Sequence, residues 1–178
     1  MNFNNDDLDQ QANTNQEVQV DDPFAEINSL VEPLDLERPE SVCFHFFFYL
    51  IKGQCDEAWS LFSKYSKQKI IDNIYDDIKE TDEFYMQDQI TNKVDLKKAF
   101  ETNHPSLRKT FWLSFAEDIK LPYLVEYAEF RTKTIKGNKA YIDAVFKLKD
   151  GKESKAPFLM VYEDSLWKFA LMESVDEN

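Results

Sequence analysis

The feature that most constrains this chain is a change of apolar period near Leu124. Up to that point apolar side chains recur at three- and four-residue steps, the helical spacing. From "LVEYAEFRTKTI" onward they alternate. "KGN" then leads into "KAYIDAVFKLK", and the Asp150-Gly151 pair is a hairpin signal. "ESKAPFLMVYE", a turn at "EDS" and "LWKFALME" complete four strands in succession. Four strands joined by tight turns predict an antiparallel meander. Helices first and strands last predict an α+β domain. On the second strand Ala140, Ile142, Ala144, Phe146 and Leu148 share the more apolar face, the expected wall of the concave side. Tyr141, Asp143, Val145 and Lys147 share the other, so Asp143 is expected to point outward.

Helix punctuation precedes the sheet. Pro39 suits a first helical position, and Gly53 suits a left-handed cap after about Lys52. The run from Val42 to Ile51 is too densely apolar for one narrow stripe, so this helix is expected to be covered on most sides. It spans ten residues and contains His45, whereas a membrane span needs about 20. Asp56 is read as the cap of a helix that turns Ala58, Trp59, Leu61, Phe62 and Tyr65 inward. Ser66 is read as the cap of the next, with Ile70, Ile71, Ile74 and Ile78 on its inner face. A further start is expected at Thr81, a short helix at "VDLKKAFETN", and another opened by His104-Pro105 with Leu107, Phe111, Leu113 or Ser114, and Phe115 along one side.

Charge divides the chain differently. The net charge is −13, and the first 40 residues hold eleven acidic residues and one arginine, or −10 of it. Residues 1–37 are therefore read as an acidic, largely disordered arm, with a short helix around Phe24, Ile27, Leu30 and Val31. Residues 38–178 are read as one domain. The acidic balance argues against nucleic acid or an anionic membrane as a partner; the best basic patch, Lys64, Lys67 and Lys69, is short. Cys43 and Cys55 lack the paired spacing of a zinc site and are read as buried thiols. With no basic-then-apolar leader after Met1, a cytoplasmic location is expected.

The element order resembles the nuclear-transport-factor-2-like superfamily, which includes ketosteroid isomerase and scytalone dehydratase. "KGQCDEAWSLFSK" is similar to its first helix junction, and "FLMVYEDSLWKFALME" to its closing hairpin; the likeness runs over about residues 38–175. Residues 66–105 carry more helix than a minimal member. The resemblance implies a cone, or half-open barrel, with helices in the concave side of a curved sheet. It also implies dimerisation through the convex face. It implies no single function.

Enzymes of that fold need polar groups inside an apolar cone. His45, Tyr127, Asp143 and Tyr162 are the titratable candidates, and no catalytic residue is assigned. His45 is read as a hydrogen-bonded core or rim residue and His104 as a helix-start residue. Two lone histidines and no cysteine pair predict no metal site and no cofactor. No Gly-rich phosphate loop or nucleophile-elbow serine is present. Aromatic residues make up 15% of the chain. They either fill the cone or line a pocket for a flat apolar ligand, with His45, Tyr49, Trp59, Trp112, Tyr127, Phe146 and Tyr162 as the pocket candidates. Three functions stay open: a non-catalytic binding or protein-interaction module with a partner for the acidic arm, an isomerase- or dehydratase-type enzyme, and an acidic inhibitor of immunity type.

Overall fold

The structure is a computed structural model, and it describes residues 31–81 and 90–176. Residues 1–33 and 34–178 form separate units. Every helix and strand of the described residues belongs to the second unit. The helix expected around Phe24, Ile27 and Leu30 lies outside the described residues.

Helix α1 spans Pro39–Ile51, with Pro39 in its first turn as expected. Val42, Cys43, Phe46 and Phe47 are fully buried. Gly53, at φ +68°, takes the left-handed conformation that ends the helix, and its N–H donates to the Leu50 carbonyl. Helix α2 covers Cys55–Leu61. Its N-cap is Gln54, not Asp56, which lies in the first turn, where its charge suits the helix dipole.

Helix α3 runs over Lys64–Thr81. Ser63, not Ser66, caps it: the Ser63 hydroxyl accepts from the Ser66 N–H at 2.9 Å. Ile70, Ile71 and Ile78 face inward and Ile74 packs beside them. Tyr65 is exposed rather than inward. The described part of α3 reaches Thr81, and the start expected at Thr81 falls on residues 82–89, which lie outside the described set. Asn92 caps α4, Lys93–Glu101, accepting from two backbone N–H groups.

His104 accepts from the Ser106 N–H and starts α5, Pro105–Leu107. A π-helical turn, Arg108–Trp112, then leads into α6, Leu113–Asp118. The wider turn advances the helix phase. Trp112 goes into the core and Leu113 goes out to solvent.

The sheet holds β1 (Ala128–Lys136), β2 (Lys139–Lys147), β3 (Glu153–Glu163) and β4 (Leu166–Phe169), in the order β1-β2-β3-β4 and antiparallel throughout. It is curved, and a bulge between Thr132 and Thr134 interrupts the β1–β2 register. The meander is as expected, with two corrections at its ends. Residues Leu121–Tyr127 form a helix, α7, which takes Leu124–Tyr127 out of the expected first strand. Lys120 turns left-handed before it, and Pro122 in the first turn favours a helix start over a ladder. The last strand stops at Phe169, and Leu171–Asp176 form helix α8.

Helix α1 crosses the inner face of the sheet. Phe46 stacks on Phe169 with ring centres 4.2 Å apart and planes 8° from parallel. Phe47 packs on Phe158 at 4.9 Å. Ala140, Ile142 and Ala144 are fully buried beneath them. This is the expected α+β cone, with aromatic rings filling its centre. Leu34 and Leu36 also pack on this core, and the Leu36 carbonyl accepts from Trp167 N–H, so the domain starts a few residues before 38.

Candidate functional site: a cleft at the open end of the cone

The rings that close the cone leave its far end open. There the inner-face residues of β2 and β3 pair as Ile142 with Phe158, Ala144 with Ala156 and Phe146 with Ser154. The small side chains of Ala144, Ala156 and Ser154 leave room that a larger residue would fill. Helix α7 roofs this space from the opposite side. The result is a cleft of about 400 Å³, within the size range of small-molecule sites. Ile119, Leu124, Phe146, Leu148 and Phe158 give it apolar walls, and Tyr123 and Ser154 add two hydroxyls. Tyr123 stacks on Phe146 at 5.2 Å and stands half exposed at the rim.

Lys120 is the single charged side chain among the described residues of this lining. Its backbone holds φ +52°, bonded on both sides: its N–H donates to the Glu117 carbonyl, and its carbonyl accepts from the Leu124 N–H. It makes no ion pair within the described residues. Among the described residues the lining contains no carboxylate, histidine or thiol.

The seven sequence-derived pocket residues do not meet in one place. Phe146 lines the cleft. Tyr127 ends α7 on its other side, over half exposed, in a polar groove with Glu126, Glu129, Arg131 and Lys147. His45 is buried, with Nδ1 2.8 Å from the Ser41 carbonyl, to which it donates, so it sits in the core as a hydrogen-bonded residue. Tyr49 lies beside it, and burial raises its phenol pKa, with the Glu57 charge adding to the shift. Trp59 stacks on Phe100 at 4.0 Å, and Trp112 lies parallel to Phe62 at 6.1 Å; both are core rings. Tyr162 is exposed on β3 against Trp167. Lys120, Tyr123 and Leu124 are not among the sequence-derived candidates: residues 120–123 carry no expected element, and Leu124 falls in the expected first strand. The Leu121-Pro122 step was the available signal for that helix.

Asp143 faces outward from the sheet as expected, yet it is almost fully buried, in register between Arg131 and Pro157. On the same outer face Val145, Leu159 and Val161 are buried too. This face presents to solvent the paired charges of Glu129, Arg131, Glu153 and Lys155.

Cys43 and Cys55 are free and buried. Burial pushes the Cys43 thiol well up and raises Cys55 to about 11. Among the described residues no group of three or more His, Cys, Asp or Glu side chains is placed to hold a metal, and no helix is long and apolar enough to cross a membrane.

No family model matches the sequence, and no curated protein matches it. Among solved structures, a Campylobacter jejuni protein described as an NTF2-like transpeptidase is similar. It is 11% identical, the match covers 75% of this chain and 97% of that one, and the TM-score is 0.38. The cone arrangement rests on this chain's own sheet register and ring packing.

Proposed function

We propose that this chain is a non-catalytic binding module of the cone fold, and that its cleft takes a small apolar acid. The observation that carries this is the lining: aliphatic and aromatic walls with one ammonium, Lys120, that makes no ion pair within the described residues. An apolar body would replace water against Leu124, Phe146 and Phe158. A carboxylate would sit at Lys120, where a charge-assisted hydrogen bond fixes orientation. An isomerase or dehydratase would need a base or acid aimed into this space. Among the described residues the cleft offers Tyr123 and Ser154, with no carboxylate or imidazole to pair with them.

Binding of 2-naphthoate or decanoate to the full chain, followed by two-dimensional NMR, tests the reading. Saturable one-to-one binding is expected, with a dissociation constant of about 1–100 μM and shifts centred on Tyr123, Phe146 and Phe158. Leu124→Trp should fill the cleft and abolish binding. Lys120→Glu should weaken the acids about tenfold or more while sparing a neutral analogue such as 2-naphthol. Failure of both acids to saturate any site would sink the reading.

Self-association through the outer sheet face remains part of the proposal, in an electrostatic form, because exposed charged pairs are available there. Sedimentation at low and high salt tests it. A dimer that persists unchanged in high salt argues against that form.

A further inference from the structure

The second candidate binding feature is at the other end of the helical layer, where α2, α3 and β4 meet. Ser60 lies in the last turn of α2, where carbonyls have no partner further along the helix. Lys67 reaches its carbonyl oxygen from the first turns of α3, and Lys168 reaches the same atom from β4. Each Nζ lies 3.2 Å from it. Capping an orphan carbonyl takes one cation. Here two ammonium groups share one acceptor, and both side chains are half-buried. Lys67 also stands 5.9 Å over the Trp59 ring.

Glu163 and Glu101 lie near enough to favour the Lys67 charge, and the carboxylates of this end also hold other partners. Glu163 accepts from the Lys64 backbone N–H at 2.9 Å, and Asp164 pairs with the Lys64 ammonium at 2.6 Å. Glu101 pairs with Lys97 at 3.8 Å. Within the described residues neither Lys67 nor Lys168 makes an ion pair. The crowding has a measurable side: burial, and next the Lys168 charge, hold the Lys67 ammonium below the usual lysine range.

We propose that Lys67 and Lys168 form a clasp for a phosphate group, either free phosphate or the head of a small phosphomonoester. Two like charges held against one carbonyl oxygen repel each other. A dianion set between them removes that repulsion and offers an oxygen to each ammonium. A carboxylate carries one charge and neutralises only half of the pair. The site stands apart from the cleft at Lys120 and does not depend on the reading given for it.

The test uses the full chain, titrated with inorganic phosphate and separately with glycerol 3-phosphate. Ionic strength is held constant with sodium chloride, at a pH above the second phosphate ionisation. Saturable binding seen in the lysine side-chain NMR signals is expected. Lys168→Met and Lys67→Met should each weaken it about tenfold or more. Lys64→Met removes an exposed lysine of the same end and should leave it unchanged. Tighter binding of the ester than of free phosphate identifies an ester as the ligand, and the reverse identifies phosphate. A thermal readout separates the clasp from plain helix capping. Phosphate should raise the melting temperature of the wild type but not of Lys168→Met. A pure cap would lower the Lys168→Met melting temperature equally with and without phosphate. Absence of saturation in the wild type, or wild-type affinity in Lys168→Met, overturns the proposal.

Discussion

At the residue scale, one side chain ties the chain's last described helix to its middle. The Glu173 carboxylate accepts from the Ser63 hydroxyl through Oε1 and from the Ser66 hydroxyl through Oε2, each at 2.5 Å. Ser66 Oγ in turn accepts from the Met172 N–H, and Ser63 Oγ caps α3. Both serines are fully buried, so removing the carboxylate leaves two hydroxyls without their acceptor. Glu173→Ala is expected to destabilise the domain by about 1–3 kcal/mol. The check is the urea midpoint at unchanged m-value; an unaltered midpoint would show that water replaces the carboxylate at no cost. The thiols make a second residue-scale prediction. A thiol whose folded pKa is raised contributes stability that is complete below the unfolded value and lost as pH climbs through the folded one. For Cys55 that window runs from its ordinary 9.0 to about 11. The wild type should lose stability relative to Cys55→Ala across that window. At neutral pH a disulfide reagent should modify both thiols only after urea is added.

At the scale of elements, turn chemistry decides where strands begin and end. The β3–β4 turn places Asp164 and Ser165 at φ +51° and +65°, both left-handed and neither a glycine. Such residues cost about 1–2 kcal/mol each against a right-handed conformation. Ser165→Gly should therefore stabilise the protein by about 1 kcal/mol, whereas Ser165→Ala should not. Thermal unfolding of the two variants beside the wild type decides; equal melting temperatures would mean the turn carries no strain. The same scale explains where sequence reading failed. Val125 and Tyr127 mimic alternation, yet they belong to a helix that starts at Leu121, with Pro122 in its first turn, and is capped by Ala128. Tyr127 thereby lost its place on a strand wall. The π turn over Arg108–Trp112 is a comparable case, because one extra residue in a turn leaves no mark on an apolar pattern.

At the scale of the whole molecule, the described residues of the second unit share one main hydrophobic cluster. Its members and the residues packed on them run from Leu34 to Met172. A fragment of residues 34–178 is expected to keep a single cooperative unfolding transition and the far-UV signature of this domain. Calorimetry on the fragment checks this, and a broad or absent transition would mean that the preceding residues are needed for the fold. Phe46 is the matching central probe, since it touches Phe47, Phe62, Phe115 and Phe169 at once. Phe46→Ala should cost about 3–5 kcal/mol.

The helices-then-meander order, the inner face of β2, the covered first helix and the buried thiols were all determined by the sequence alone. Each depends on local period, turn residues or composition, and those act over a few neighbouring positions. Tertiary structure decided which rings fill the cone, that α7 roofs one end of it, and that Lys120 comes to its rim. It also brought Lys67 and Lys168 to one carbonyl oxygen from positions 101 residues apart. Such meetings depend on packing distances between elements far apart along the chain, and no periodicity in a single sequence records them.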